Sequence, residues 1–345
     1  MTSAFAQATG TALRNVSYEA PIGIVEVTGL RRWSLEMLRD SVRVHRPGLE
    51  LHDSACAAVL RQFLGFPDAQ VITQTYVDSA GAKPRRFVSI KVIEPGEADR
   101  IRWATTAKAD TFRVLRPSYA SLILGATDGS GSFVLGPVLG PLQFGRDTAR
   151  FSASIAAMPS ARRATLEADA ARLHAFQLAH SDRAAWRVAL EAVREDGEYV
   201  NRFAAVVVLA GFGERDATWH ALADALRDGQ EAVRKSALTV LQILPSRTVD
   251  WTPVVPGLRA LLGGTNVAAT EAVLRTLARS RVSPALAGPL LHGNAEWVLA
   301  HLRSRNPATS FEARALLVQL NGGKDLGADA RLWEQWLGSL PTPRS

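Results

Sequence analysis

The feature that most constrains this chain is an approximate repeat in its second half. Asp196-Gly-Glu-Tyr-Val200-Asn-Arg202-Phe-Ala204 leads into Val208-Leu209. Asp228-Gly-Gln-Glu-Ala-Val233-Arg-Lys235-Ser-Ala237 leads into Leu241 after an offset of about 33 residues, the period of stacked helical pairs. A tryptophan-led stretch precedes each copy, Trp186 with Leu190 and Val193, then Trp219 with Leu222 and Leu226. Trp251 opens a third stretch, with Leu258 and Leu261-Leu262, followed by a helical segment from Thr265 to Leu277. The Asp-Gly pair suits a tight turn between helices, the alanine allows two helices to approach, and valine and leucine fill the space between layers. One such pair cannot bury its apolar face alone, so several must stack. Later copies are degenerate: Pro284–Leu291 with Asn294–Leu302, and Pro307–Leu320 with Gly327–Leu340. Leu332, Trp333, Trp336 and Leu337 suit a terminal cap.

The spacing Leu-x-Asp-x-x-x-x-Val-Arg-x-x-Ala-x-x-x-Leu over Leu226–Leu241 resembles the HEAT repeat. The resemblance implies an all-α HEAT-like superhelical solenoid over 161–340. Its inner face would be formed by the second helix of each pair.

The first part of the chain has a different texture. Ile22-Gly-Ile-Val-Glu-Val-Thr28 reads as a strand. Ser34 caps a short helix with Leu35, Met37, Leu38 and Val42, broken by Pro47-Gly48. A second helix is expected from His52 to Leu64, capped by Asp53 or Ser54. Val71–Val77 and Phe87–Ile93 read as strands joined by a hairpin loop over 78–84. The expected order over 15–95 is β-α-α-β-β. Ile24-x-Val-x-Gly-Leu-Arg-Arg-x-Ser34, Phe63-Leu-Gly-Phe66 and Val88-x-Ile-x-Val-x-Glu94-Pro95 together resemble a POTRA domain. The resemblance covers about a quarter of the chain. It implies an α+β module on an exported or membrane-associated protein that binds partner chains by adding a strand at a sheet edge. One copy stands alone, so insertion of outer-membrane proteins is not carried over. Any small α/β domain packed beside the helices is the plain alternative.

Between these parts, 96–160 is rich in glycine and proline. Val134-Leu-Gly-Pro-Val-Leu-Gly-Pro141 is a tandem tetrapeptide in which proline and glycine argue against a continuous helix. A connecting segment with strand or extended structure is expected there. Residues 1–14 read as a disordered tail or a signal remnant. Ala4-Phe5-Ala6 and Ala6-Gln7-Ala8 resemble the small-x-small end of a secretory signal, without the basic and apolar regions that precede one.

The formal charge is +7, which invites a nucleic-acid reading. Its distribution does not support one. Residues 1–100 carry 12 Lys/Arg against 11 Asp/Glu, 101–160 carry six against three, and 161–345 carry 22 against 19. Nucleic-acid binders concentrate their positive charge on one face. The single cysteine, Cys56, excludes an internal disulfide and leaves the compartment open. No apolar run approaches the roughly 20 residues of a membrane-spanning helix.

No catalytic constellation emerges. Gly-Lys-Ser, Gly-Lys-Thr and Gly-x-Ser-x-Gly are absent, and Gly129-Ser-Gly131 lacks the third glycine of a dinucleotide loop. His220 and Asp224, four apart, could form half a metal site, but such a pair is commonly solvated surface. No metal site, cofactor or enzymatic activity is expected. Arg202 and Lys235 are read as equivalent rungs on the inner helical face, with Arg275 as the next. Such a ladder would suit an acidic peptide or a phosphate backbone, and a solvated helix face is the plain alternative. Arg31, Arg32 and Trp33, at the turn after the first strand, are the candidates in the module. The expected function is a binding or scaffold protein in the periplasm or cell envelope, with a cytoplasmic location as the alternative. Its partner would be a protein or peptide, such as an outer-membrane or envelope component. The second reading is a DNA-binding HEAT-like protein similar to alkylpurine glycosylases.

Overall fold

A computed structural model describes residues 12–76, 85–104, 122, 135–145 and 147–341. The chain is an α+β protein in which a four-stranded sheet is followed by about a dozen helices. It divides into two compact units that interleave in sequence. One comprises 1–102, 259–278 and 284–345; the other comprises 103–258 and 279–283.

The first unit is built on strands β1 (Arg14–Ala20), β2 (Gly23–Leu30), β3 (Asp68–Tyr76) and β4 (Arg85–Ile93), in the spatial order β1-β2-β4-β3. β1 and β2 form an antiparallel hairpin, β2 runs parallel to β4, and β3 runs antiparallel to β4. Parallel neighbours need a crossover connection. Helices α1 (Leu35–His45) and α2 (Cys56–Gln62) lie between β2 and β3 in the chain. The hydroxyl of Ser34 accepts the Met37 N–H at 3.1 Å, so α1 begins at the expected cap. α2 is shorter than expected, because Asp53 turns back to accept the Glu50 N–H at 2.8 Å instead of capping it. β1 precedes the expected first strand. Its Val16, Tyr18 and Ala20 alternate along the strand and pack against the core.

One face of the sheet presents Val25, Val27, Val88, Ile90 and Val92 to Leu35, Leu38 and Val42 of α1 and Val59 and Leu60 of α2. The opposite face is buried as well. There Ile93 packs with Leu13, Val267, Trp297 and Ala300. The residues that cover it come from the C-terminal part of the same unit, including α11 (Thr270–Arg279), α13 (Glu296–Leu302), α14 (Pro307–Leu320) and the segment before α11.

The second unit contains α3 (Gly136–Leu142), α4 (Thr148–Ile155), α5 (Ser160–Ala179), α6 (Arg183–Glu195), α7 (Tyr199–Leu209), α8 (Asp216–Ala225) and α9 (Glu231–Ile243). The expectation that Val134–Pro141 excludes a helix is corrected by α3. Pro137 occupies the first turn, where its missing N–H has no intrahelical role, and Pro141 falls in the last turn of a seven-residue helix. α7 is buried from Asn201 to Leu209 and packs against both α6 and α9. α10 (Val255–Leu262), α12 (Ala287–Leu291) and α15 (Ala330–Gly338) complete the helices. No described helix is long and apolar enough to cross a membrane.

Candidate functional site

In the module, the turn after β2 is organised by one carboxylate. Glu94, fully buried at the end of β4, accepts the backbone N–H groups of Arg31 (2.7 Å), Arg32 (3.0 Å) and Trp33 (2.9 Å). The Glu-Pro that closes β4 therefore fixes the Gly-Leu-Arg-Arg turn. Gly29 at this turn has φ 108°, and a Cβ there would lie 2.0 Å from the Val92 carbonyl oxygen, so no other residue fits. The three candidates here have separate fates. Arg31 is largely buried and ion-paired with Glu97 at 2.8 Å and with Glu296. The Arg32 side chain is half-exposed and donates to the Pro95 carbonyl at 2.5 Å. Trp33 is half-buried, edge-on to Phe66 with ring centroids 5.2 Å apart.

The second face of the sheet carries a buried polar cluster that alternation alone would assign to solvent. Glu26 of β2 accepts the Ser304 hydroxyl (2.5 Å) and the Arg305 N–H (2.8 Å). Glu271 accepts the Thr309 hydroxyl (3.1 Å) and Arg275 (3.2 Å), and its nearest approach to the Lys91 ammonium is 3.9 Å. Lys91 is 1% exposed and its Nζ makes no hydrogen bond among the described residues. Burial pushes its ammonium below the usual range, opposed by Glu271 and Glu26. His301, also buried, has Nδ1 at 2.7 Å from the Trp297 carbonyl. A carbonyl can only accept, so Nδ1 carries the proton and Nε2 keeps its lone pair. Burial, reinforced by the Lys91 charge, depresses His301 to about 3. Arg275 lies at the margin of this cluster, bound to Glu312 at 2.8 Å as well as to Glu271.

In the second unit the two Asp-Gly turns share a hydrogen-bond pattern. Asp196 Oδ1 accepts the Glu198 N–H at 2.8 Å, and Asp228 Oδ1 accepts the Gln230 N–H at 2.7 Å. Arg202 Nη1 donates to the carbonyls of Asp196 (2.8 Å) and Gly197 (3.2 Å). Arg234 Nη1 donates likewise to Asp228 (2.7 Å) and Gly229 (3.0 Å). The equivalent of Arg202 is therefore Arg234 and not Lys235, and the working offset is the 32-residue separation that also links Trp186 Nε1 to Thr218. Arg202 is buried, and its guanidinium forms a two-bond pair with Asp228 of the next turn at 2.7 and 2.9 Å. Lys235 is half-exposed and paired with Glu231 at 2.6 Å. Arg234 stacks on the Trp103 ring at 4.1 Å. Beside it, the Ala104 N–H donates to the Arg227 carbonyl at 2.7 Å, and Ala104 pairs with Asp228 in a parallel bridge.

The tryptophans that lead the repeats pack inward to different degrees. Trp219 and Trp251 are buried edge-to-face at 6.3 Å, whereas Trp186 is half-buried under Arg215 at 4.4 Å. His220 turns to the Asp250 carbonyl at 2.5 Å, and Asp224 pairs with Arg227, so these two residues do not share a ligand. Among the described residues no cluster of histidine, cysteine and carboxylate could hold a metal. Cys56 is buried, and burial pushes its thiol up to about 12, which suppresses the nucleophilic thiolate. Ser130 lies outside the described residues. Sequence reasoning missed Glu94, Glu26, Lys91 and His301. For Glu26 and Lys91 the signal was a charged residue inside each of two strongly apolar strands, and for Glu94 it was the Glu-Pro that closes the motif.

Comparison with family models, curated proteins and solved structures finds no match to this chain.

Proposed function

We propose that this chain is a non-enzymatic binding or scaffold protein of the cell envelope. In this reading a POTRA-like module and a HEAT-like solenoid engage protein partners. The order β2-α1-α2-β3-β4, and the Asp-Gly turns repeated with their arginines, support the two resemblances.

The observation that carries the reading is the difference between the two sheet edges. β1 is guarded. It has a register shift at Arg14/Asn15, its Asn15 side chain donates to the Ala300 carbonyl, and Glu19 pairs with Arg305 at 3.6 Å. β3 is a nine-residue strand at the other end of the sheet, and among the described residues its only strand partner is β4. From Ala69 to Tyr76 it has no charge and no proline, the devices that normally protect an edge from pairing. An extended segment of a partner protein can add to it through main-chain hydrogen bonds.

The test is a photo-crosslinking residue placed at Thr73 on β3 or at Ser17 on β1, combined with cell fractionation and sequencing of the mature N-terminus. The expected result is a discrete adduct from Thr73 but not from Ser17, in the envelope fraction, lost when Gln70→Pro interrupts the edge. A cytosolic chain, or no adduct from Thr73, would reject the reading.

A further inference from the structure

We propose that a pocket of about 190 Å³ in the second unit, beside the Asp228 turn, receives the carboxylate side chain of an acidic partner peptide. The inference does not depend on the sheet-edge reading, because it concerns the other unit and recognition by a side chain.

The pocket is lined by the apolar Ala104, Val193 and Ala225 and by Arg194, Asp224, Arg227 and Asp228. The charges are unevenly committed. Asp228 is fully engaged, accepting two bonds from Arg202 and one from the Gln230 N–H. Asp224 takes a single 3.3 Å bond from Arg227 Nη2. Arg194 is exposed and makes no hydrogen bond or ion pair among the described residues. The Arg227 Nε has no hydrogen-bond partner there either. Two arginines therefore face one loosely held carboxylate.

Space beside the Asp224–Arg227 pair depends on a glycine. A Cβ at Gly257 would lie 2.9 Å from Asp224 Oδ1 and 3.0 Å from Arg227 Nη2, crowding that pair. The volume is below the roughly 300–1,000 Å³ of pockets that take whole small molecules, so the pocket suits part of a larger ligand. A planar guanidinium binds a carboxylate through two parallel hydrogen bonds. The adjoining edge already holds extended backbone, since Ala104 bonds to Arg227 and Trp103 lies under Arg234. A carboxylate borne on an extended peptide fits this arrangement.

The experiment measures fluorescence anisotropy of a labelled alternating Gly-Glu peptide with the full chain at low salt. Arg194→Gln should weaken binding about tenfold, the loss of one charge-assisted contact. Asp224→Asn should strengthen it by removing the opposing charge. Lys235→Gln, on an exposed and already paired lysine, should leave it unchanged. Thermal melts establish that each variant folds. The proposal is overturned if the native chain does not bind, if Arg194→Gln binds as the native chain does, or if Lys235→Gln weakens binding equally, which would mark attraction to net charge alone. It is also overturned if a short DNA duplex displaces the peptide and shows the larger dependence on Arg194, since the site would then read phosphate.

Discussion

At the scale of single residues, the sheet's second face is an electrostatic burden with a predictable pH signature. His301 is held neutral at about 3, while an unfolded histidine titrates near 6.5. Between those values the unfolded chain binds the extra proton. The contribution is fully present above about pH 6.5 and is lost as pH falls toward 3, with a slope of at most about 1.4 kcal/mol per pH unit. Urea unfolding at successive pH values should show this slope, and His301→Leu should flatten it. Lys91 is shifted in the same direction, so leaving it neutral favours the fold above the ordinary lysine range, and that advantage is lost as pH falls. At neutral pH, Lys91→Met is expected to leave the melting temperature unchanged or to raise it. Glu94 is the opposite case. Glu94→Ala strands three backbone donors and should cost about 3 kcal/mol or more, measured by the same unfolding curves.

At the scale of elements, Arg202 and Lys235, two of the three basic residues first read as rungs, separate sharply. Arg202→Ala removes one partner of a buried pair and should destabilise by about 3–5 kcal/mol. Lys235→Ala, at an exposed i,i+4 pair, should change stability by less than about 0.5 kcal/mol. Thermal melts of the two variants test this directly. The two similar Asp-Gly turns were legible because Asp-Gly and the alanine and valine positions recur together. Its register was not, because Arg234-Lys235 offers two adjacent cations and only backbone geometry decides which one caps the turn. The three strands of the expected module were legible from β-branched alternation. β1 was not, since Arg14-Asn-Val-Ser-Tyr-Glu-Ala20 alternates weakly and takes its stability from pairing with β2. α3 escaped notice because proline is a breaker only where its N–H is needed, and the sequence does not say where a helix begins.

At the scale of the molecule, the front module is not self-contained. Glu26 is satisfied by Ser304 and Arg305, and Ile93 by Val267 and Trp297. Nothing in the first 100 residues announces that a cover for them lies more than 160 positions away, because strand alternation shows which face is apolar and not what closes the other. A fragment ending at Arg102 would expose Glu26, Lys91 and Ile93 together. It should lack a cooperative thermal transition, whereas the full chain should show one; circular dichroism of both decides the point.

The same interleaving sets an order of events during synthesis. A ribosome adds about 5–20 residues per second. The roughly 200 residues between β4 and α13 therefore take some 10–40 s to appear. Through that interval the nascent sheet waits with one side uncovered, and its outer strand, uncharged from Ala69 to Tyr76, is open to whichever polypeptide reaches it first.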